Sequence, residues 1–346
     1  MDDLTYLYGE PNSSANYKTT AEDFCVDEEL GFELTGEGEH VCLQILKKGE
    51  NTQFIAKKVA KVAGVPVKNV SYPGLKDRHA VTSQWFSVPV PIKKSIDFSS
   101  LNSETVKVLK TVRHNRKLRT GCHLANRFTI TLRSCTDVYD ILSRVNAVRQ
   151  GVPNYFGPQR FGHDGHNLVL AEQLFSGTPI HDRKLRSIVI SAARSSIFNR
   201  VVSDRVAKFG ISKTMHEEVF LLNGSNAFFK EQISLETINR LASGDLHLSA
   251  PLVGKGEKAV TEQEREWLKP FEHWCLSLAE LGLKGERRNM RLYPRDFEVN
   301  NVDTDAITIS FSLAKGCFAT AILREIAICK DVSKENGIND ENLIEQ

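Results

Sequence analysis

Asp77 stands between Lys76 and Arg78, three residues after Gly74, and the chain then runs into an apolar segment that begins at Val81. Gly74 permits a close backbone approach or a positive φ, and a strand after the turn would hold the carboxylate in place. Neighbouring cations keep such a carboxylate ionised, as a nucleophile or general base requires. The competing reading is an aspartate that caps a turn or pairs at the surface, and this stretch alone does not separate the two. His163 and His166 could face one ligand. No third ligand stands nearby, so no metal is expected.

The elements that would mount Asp77 can be read from apolar periodicity. Residues 40–46 are strand-like. Residues 51–64 open on Asn51 and Thr52, carry Phe54, Ile55, Val59 and Val62, and close on Gly64, which together spell a helix. Stretches 82–90 and 106–112 are rich in β-formers. Residues 127–134 set Phe128, Ile130 and Leu132 against Thr129, Thr131 and Arg133, a half-buried strand. A helix is expected over 137–149, stopped by Gly151 and Pro153. Beyond it glycine, aromatic and basic residues cluster, followed by helices near 187–206 and, as one long element, 261–283. A strand at 306–313 and a helix at 317–328 end the pattern. A lone strand and helix cannot make a core, so they should rejoin the first sheet. The layout expected is a discontinuous unit, 1–152 and 299–346, interrupted by an insertion at 153–298.

At 346 residues the chain is long enough for two domains, and 41% apolar with 25% charged residues is ordinary for a globular protein. No window approaches the length of a membrane span. Seven scattered cysteines without a CxxC pair argue for reduced thiols rather than a disulfide framework. The acidic, polar opening carries no signal pattern, so a cytoplasmic protein is expected. A net charge of +2 excludes a polybasic coat, but the charge is unevenly spread. Residues 107–123 include Lys107, Lys110, Arg113, Arg116, Lys117 and Arg119 and no acid, with smaller basic clusters at 181–186 and 284–291. Such islands suit a phosphate-bearing partner bound at defined places, although a basic run can also be a plain solvated face.

Six segments carry a wider pattern: "KTTAEDFCVDEE" from Lys18, "GEGEHVCLQILKKGENT" from Gly36, "GLKDRHAVTSQ" from Gly74, "GCHLANRFTI" from Gly121, "NYFGPQRFG" from Asn154 and "GCFATAILRE" from Gly316. In this order and spacing, from about residue 4 to residue 328, they closely resemble the TruD family of tRNA pseudouridine synthases. The resemblance implies an α+β fold, a pseudouridine synthase domain on a mixed, largely antiparallel sheet with an inserted α/β TRUD domain. It also implies a reaction, the isomerisation of uridine 13 of certain tRNAs to pseudouridine. The N1–C1′ bond breaks and the uracil rejoins through C5 without redox change or group donor, so neither cofactor nor metal is needed.

Asp77 matches the family's catalytic aspartate. It could add to uracil C6, attack ribose C1′ or remove the 2′ proton, and the sequence leaves these open. A stacked uridine must be flipped out, and aromatic faces replace the lost stacking at about 1–3 kcal/mol per base. By the resemblance Phe128 packs against the uracil, Asn126 lines the site near Asp77, and Phe24 and Phe318 match the remaining site aromatics. Each Phe also has a plain reading as core. Lys18 matches a basic position that neutralises Asp77, with Lys76 as a competitor. Gln159 and Arg160 are expected to shape the domain junction or touch RNA rather than do chemistry. Ala21 stands where a proline is common, a change of loop stiffness. Arg113, Arg116, Lys117 and Arg119 are expected on the tRNA backbone. The partner expected is tRNA, with no membrane and no obligate protein partner, and the protein is expected to be a monomer. Two other readings compete: a tRNA-folding chaperone on the same scaffold, and an Asp-nucleophile enzyme for phosphorylated small molecules. The second lacks a phosphate-cradling glycine loop.

Overall fold

The computed structural model describes residues 3–256 and 260–334, so the final part of the expected 299–346 segment lies outside the described residues. In chain order, β1 (Ser14–Tyr17), β2 (Phe24–Glu29) and β3 (His40–Lys48) precede α1 (Thr52–Ala63). β4 (Val81–Pro89), β5 (Val106–His114) and β6 (Ala125–Leu132) lead to α2 (Val138–Arg149) and the short β7 (Val152–Pro153). Next come α3 (His166–Phe175), α4 (Arg183–Phe209), β8 (Glu217–Leu222), β9 (Phe228–Gln232), α5 (Leu235–Ala242) and β10 (Leu246–Leu252). α6 (Glu262–Leu268), α7 (Glu272–Glu280), β11 (Glu286–Asn289) and β12 (Arg291–Leu292) follow. β13 (Arg295–Val302), β14 (Ile307–Ala314), α8 (Ala319–Ile326) and β15 (Ile328–Asp331) close the described chain.

Seven strands form the main sheet in the order β13-β14-β6-β2-β4-β3-β5. Every neighbouring pair is antiparallel except β2 with β4, which is parallel. The sheet is therefore mixed and largely antiparallel, and β14 returns late in the chain to lie against β6. Its partner β13 was not expected as a strand. Its polar side chains lie at the sheet edge, and two register shifts break its pairing with β14, which blurs the alternation.

Local signals explain the helices. Asn51 accepts the amide of Phe54 to cap α1, and Gly64 ends it in the left-handed region at φ 70°. Asp137 caps α2 in the same way. The single helix expected over 261–283 is instead two, α6 and α7, joined by a 3-10 turn at Lys269–Phe271. Pro270 supplies no amide and cannot sit inside a continuous helix.

A second sheet, β11-β10-β8-β9, lies within residues 217–289. Its core with α4 and α6 contains Ile197, Phe198, Val202, Ala250, Trp267 and Met290, and Leu4 from the N-terminal segment also joins it. Two buried ion pairs lock this region, Arg205 with Glu218 and Arg287 with Glu264, each at 2.6 Å. Removing one member of such a pair leaves an uncompensated buried charge. Arg287→Met is expected to lower the unfolding free energy by about 3–5 kcal/mol, read from urea denaturation. A loss under about 1 kcal/mol would mean that the pair does not lock the second sheet to α6.

Candidate active site

Directly paired strand residues share a face of the sheet. On the helix-covered face, Leu43, Ile45, Phe86 and Val88 make one core with α1. Val26, Phe128, Ile130, Ile309 and Phe311 make another with α2 and α8. Between these cores the same face carries Lys47, Thr82, Gln84 and Glu28, all buried, with Asn126 beside them. Polar groups in the middle of a sheet are unfavourable unless each finds a partner. Lys47 and Gln84 find the backbone of residues 71–79 and Glu28 finds the Lys76 side chain, whereas Thr82 Oγ1 and Asn126 Oδ1 are buried without a partner.

That loop doubles back over β4. Ser71 pairs with Ser87, Gln84 Nε2 donates to the Gly74 carbonyl, and Lys47 Nζ donates to the Asp77 carbonyl at 3.0 Å. From Ser71 to Gly74 its partners step back along β4 from Ser87 to Gln84, and at Asp77 the partner is Lys47 of the neighbouring β3. Thr52 at the start of α1 ties the layers together, donating to Gln84 Oε1 at 3.0 Å and accepting the Lys76 amide at 3.1 Å. Lys76 Nζ pairs with Glu28, whose other oxygen accepts the Trp85 amide at 3.1 Å. The Gly121 amide donates to the Pro73 carbonyl at 2.6 Å. The turn that leads the sequence to Asp77 is thereby clamped on both sides.

The Asp77 carboxylate projects from this mount. Lys18 Nζ lies 3.0 Å from Oδ2, and Gln159 Nε2 donates to Oδ1 at 3.0 Å. The carboxylate keeps 29% of its side-chain surface exposed, enough to meet a ligand, while Lys18 is 6% exposed. Lys18 has φ 58°, left-handed backbone that a lysine adopts only when its surroundings impose it. On one side Tyr17 pairs with Asp331 across β1 and β15. On the other, buried Asp23 accepts the Arg133 guanidinium at 2.9 Å and holds the entry to β2. Lys18 Nζ also lies 3.7 Å from Asp331, giving the cation a second carboxylate.

Burial by itself raises the Asp77 carboxyl. The Lys18 charge, the hydrogen bonds from Gln159 and Lys18, and the Lys47 charge outweigh it and hold the group below its ordinary value. Burial lowers Lys47 to about 8, with Asp77 pulling it back up and Lys76 pushing it down. Burial, then the neighbouring Asp331, raises the Tyr17 hydroxyl, so it stays a neutral donor at the back of the site.

The other expected site residues divide in two. Phe24 and Phe128 meet edge to face with centroids 6.0 Å apart, and Lys18 Nζ stands 4.6 Å from the Phe24 centroid. Phe128 also packs on Phe311 within the core. Asn126 makes no hydrogen bond to Asp77, and its Oδ1 is buried without a partner. Phe318 stands further along, at the entry to α8, 5.8 Å from Phe156. Gly157 faces Thr320 so closely that a Cβ there would collide with its hydroxyl and press on Phe318. Of the two competing lysines, Lys18 contacts Asp77 and Lys76 pairs with Glu28.

Four residues in this arrangement were not expected to serve it: Lys47, Gln84, Glu28 and Asp331. Lys47 did leave a signal, since it continues the inward alternation of Val41, Leu43 and Ile45. Gln159, expected to shape the domain junction or touch RNA, donates to the carboxylate itself. Arg116, Lys117 and Arg119 are exposed. Arg113 is different, because its guanidinium donates to the carbonyls of Gly38, Val90, Pro91 and Lys94 and is occupied in holding loops together. Among the described residues no helix is long and apolar enough to cross a membrane.

Lys18 is the main charge that keeps Asp77 ionised, and its removal favours the neutral acid. In a carboxylate 13C NMR titration Asp77 is expected to protonate below the usual aspartate range, and in Lys18→Met at higher pH. An unchanged titration in that variant would assign the effect to another group.

The comparisons with known proteins agree with this architecture. The family profile of tRNA pseudouridine synthase D (TruD) matches residues 1–179 and 178–326. The chain is 63% identical over 348 residues to a tRNA pseudouridine synthase D of Pseudoalteromonas translucida (strain TAC 125), covering 99% of this chain and 100% of that protein. It is 42% identical to one from Shewanella oneidensis, covering 96% and 91% of the two chains. A crystal structure of a Methanosarcina mazei protein described as TruD superposes with a TM-score of 0.69 over 94% of each chain, at 21% identity, and shares the fold. By its profile match, its full-length relatives and its fold, the chain belongs to the tRNA pseudouridine synthase D (TruD) family.

Proposed function

We propose that the protein converts uridine 13 of certain tRNAs to pseudouridine, with Asp77 as the catalytic carboxylate and with no cofactor or metal. The observation that carries this reading is the Asp77 site. An ionised, partly accessible carboxylate lies between Lys18 and Gln159, with the Phe24–Phe128 pair beside Lys18. Relatives 63% and 42% identical bear the name tRNA pseudouridine synthase D, which supports the reaction class.

The chemistry follows from the charges. The uridine leaves its stack, and the rims of Phe24 and Phe128 take over contact with the base. The unpartnered Asn126 Oδ1 accepts the uracil N3–H, which orients the ring. Asp77 acts as nucleophile or base while N1–C1′ breaks. The uracil turns, C5 bonds to C1′, and the C5 proton is removed while the freed N1 takes up a proton, so the product is an isomer of the substrate. Whenever Asp77 is esterified or protonated it loses its charge, and Lys18 keeps a counter-charge in Asp331 at 3.7 Å. Lys18 is thus held in place through the cycle. In this reading residues 1–152 and 299–346 form the catalytic unit and 153–298 the insertion. Phe318 and the exposed Arg116, Lys117 and Arg119 guide the RNA, and the enzyme works in the cytoplasm, where tRNA is.

Two outcomes test the assignment. Asp77→Asn is expected to lower turnover on an unmodified tRNA transcript by at least about a thousandfold, the scale of losing a nucleophile or base. Its tRNA affinity should stay close to that of the wild type. Pseudouridine formed at the normal rate by that variant would remove Asp77 from the reaction. Replacing Arg116, Lys117 and Arg119 together by Gln should weaken binding and reduce the slope of log affinity against log salt by about one for each phosphate no longer neutralised. An unaltered slope would place the RNA elsewhere.

A further inference from the structure

Arg160 and Arg288 stand at the junction behind Gln159, and neither has a carboxylate partner among the described residues. The Arg160 guanidinium lies 5.4 Å from the Phe156 centroid and 6.0 Å from that of Phe318. Its Nε is buried without a hydrogen bond. The Arg288 guanidinium lies 4.1 Å from the same Phe156 ring and donates to neutral oxygens, Asn154 Oδ1 at 2.7 Å, the Gly316 carbonyl at 2.9 Å and the Asn154 carbonyl at 3.5 Å. Thr320 Oγ1, close to Gly157, is also buried and unpartnered. The other shielded arginines show what is missing here. Arg205 and Arg287 each grip a glutamate at 2.6 Å.

Two guanidiniums packed around one aromatic ring repel each other and have lost much of their hydration. Burial lowers both, Arg288 to about 10, and in Arg288 the charge of Arg160 adds to the effect. Such an arrangement is unfavourable in the free protein and becomes favourable when an anion arrives. Guanidinium forks match the oxygens of a phosphate, and in a tRNA-binding protein the anions on offer are backbone phosphates. The place is also specific. Arg160 follows Gln159, whose side chain touches Asp77, and it stacks on Phe318.

We propose that Arg160, Arg288 and Thr320 form a seat for one RNA backbone phosphate adjacent to the target uridine, fixing the flipped nucleotide relative to Asp77. This rests on the tRNA reading above and adds a phosphate-binding site to it. Bending the backbone into this seat would draw the uridine toward Asp77.

The test uses binding, so it is independent of turnover. Affinity for an unmodified tRNA transcript is measured over a range of salt concentrations for the wild type, Arg160→Gln, Arg160→Lys and Arg288→Gln. The Arg160 guanidinium holds no carboxylate among the described residues, so Arg160→Gln should fold normally, and a thermal melt checks each variant. Arg160→Gln is expected to raise Kd about tenfold and reduce the salt slope by about one, with partial recovery in Arg160→Lys. A set of transcripts with single methylphosphonate linkages around the target then locates the phosphate. One linkage should weaken wild-type binding about as much as the variant does, with no further loss when the two are combined. Unchanged affinity and slope in a folded Arg160→Gln, or fully additive losses at every linkage, would overturn the seat. If the wild type binds tRNA but makes no pseudouridine, the enzymatic reading fails while the binding result still decides the seat.

Discussion

The site depends on a loop crossing a sheet through polar contacts. Glu28, Lys47, Thr82 and Gln84 occupy positions that an ordinary sheet would fill with aliphatic side chains, and they are buried. Three of them spend their hydrogen bonds on the loop that carries Asp77 or its neighbours. Without that loop Glu28, Lys47 and Gln84 would each lose a partner that their burial calls for. Without these groups the loop would be one more mobile surface turn. Loop and strip therefore stabilise each other, and the gap between the two apolar cores is where such an exchange is possible.

The same arrangement sets the electrostatics of Asp77. A carboxylate this close to the sheet should drift toward its neutral form, and burial does push it that way. Lys18 reverses the drift from a strained backbone position, held there by the β1–β15 pairing and by the Asp23–Arg133 pair. Lys47 contributes from below, although its own ammonium is weakened by burial. Two cations approach from different places, Lys18 just after β1 on the carboxylate and Lys47 from β3 on the backbone carbonyl of the same residue. This keeps the charge in place without closing the oxygens off from a ligand.

Much of this was legible in the chain, for physical reasons that differ by residue. The Gly74 turn and its flanking cations made Asp77 a candidate beside a plain capping aspartate, and only the family resemblance singled out Asp77 and Lys18. The apolar alternation of β6 and the cap residues of α1 gave reliable elements. Other features were hidden because they depend on partners distant in sequence. Gln159 meets Asp77 across 82 residues, and Asp331 lies beside Lys18 only because β15 returns to β1. The edge strand β13 was obscured by its bulges. Pro270 was a visible signal within the long amphipathic stretch, and the apolar pattern on both sides of it suggested continuity that a proline cannot supply.

The division of the chain has a consequence for how the site comes into being. Lys18 and Asp77 are 59 residues apart, and β6 cannot complete its side of the sheet until β14 arrives from beyond residue 300. Phe318 enters with that same return, and Gln159 comes from the segment between. Contacts of such separation form late, after the loop entropy of everything between them has been overcome. The carboxylate is thus ordered in its charged pocket only when both ends of the chain have joined one sheet. A partly folded chain would carry Asp77 on an unclamped turn, without Lys18 against it. Coupling the Asp77 carboxylate to contacts of such long range confines this geometry to the complete fold.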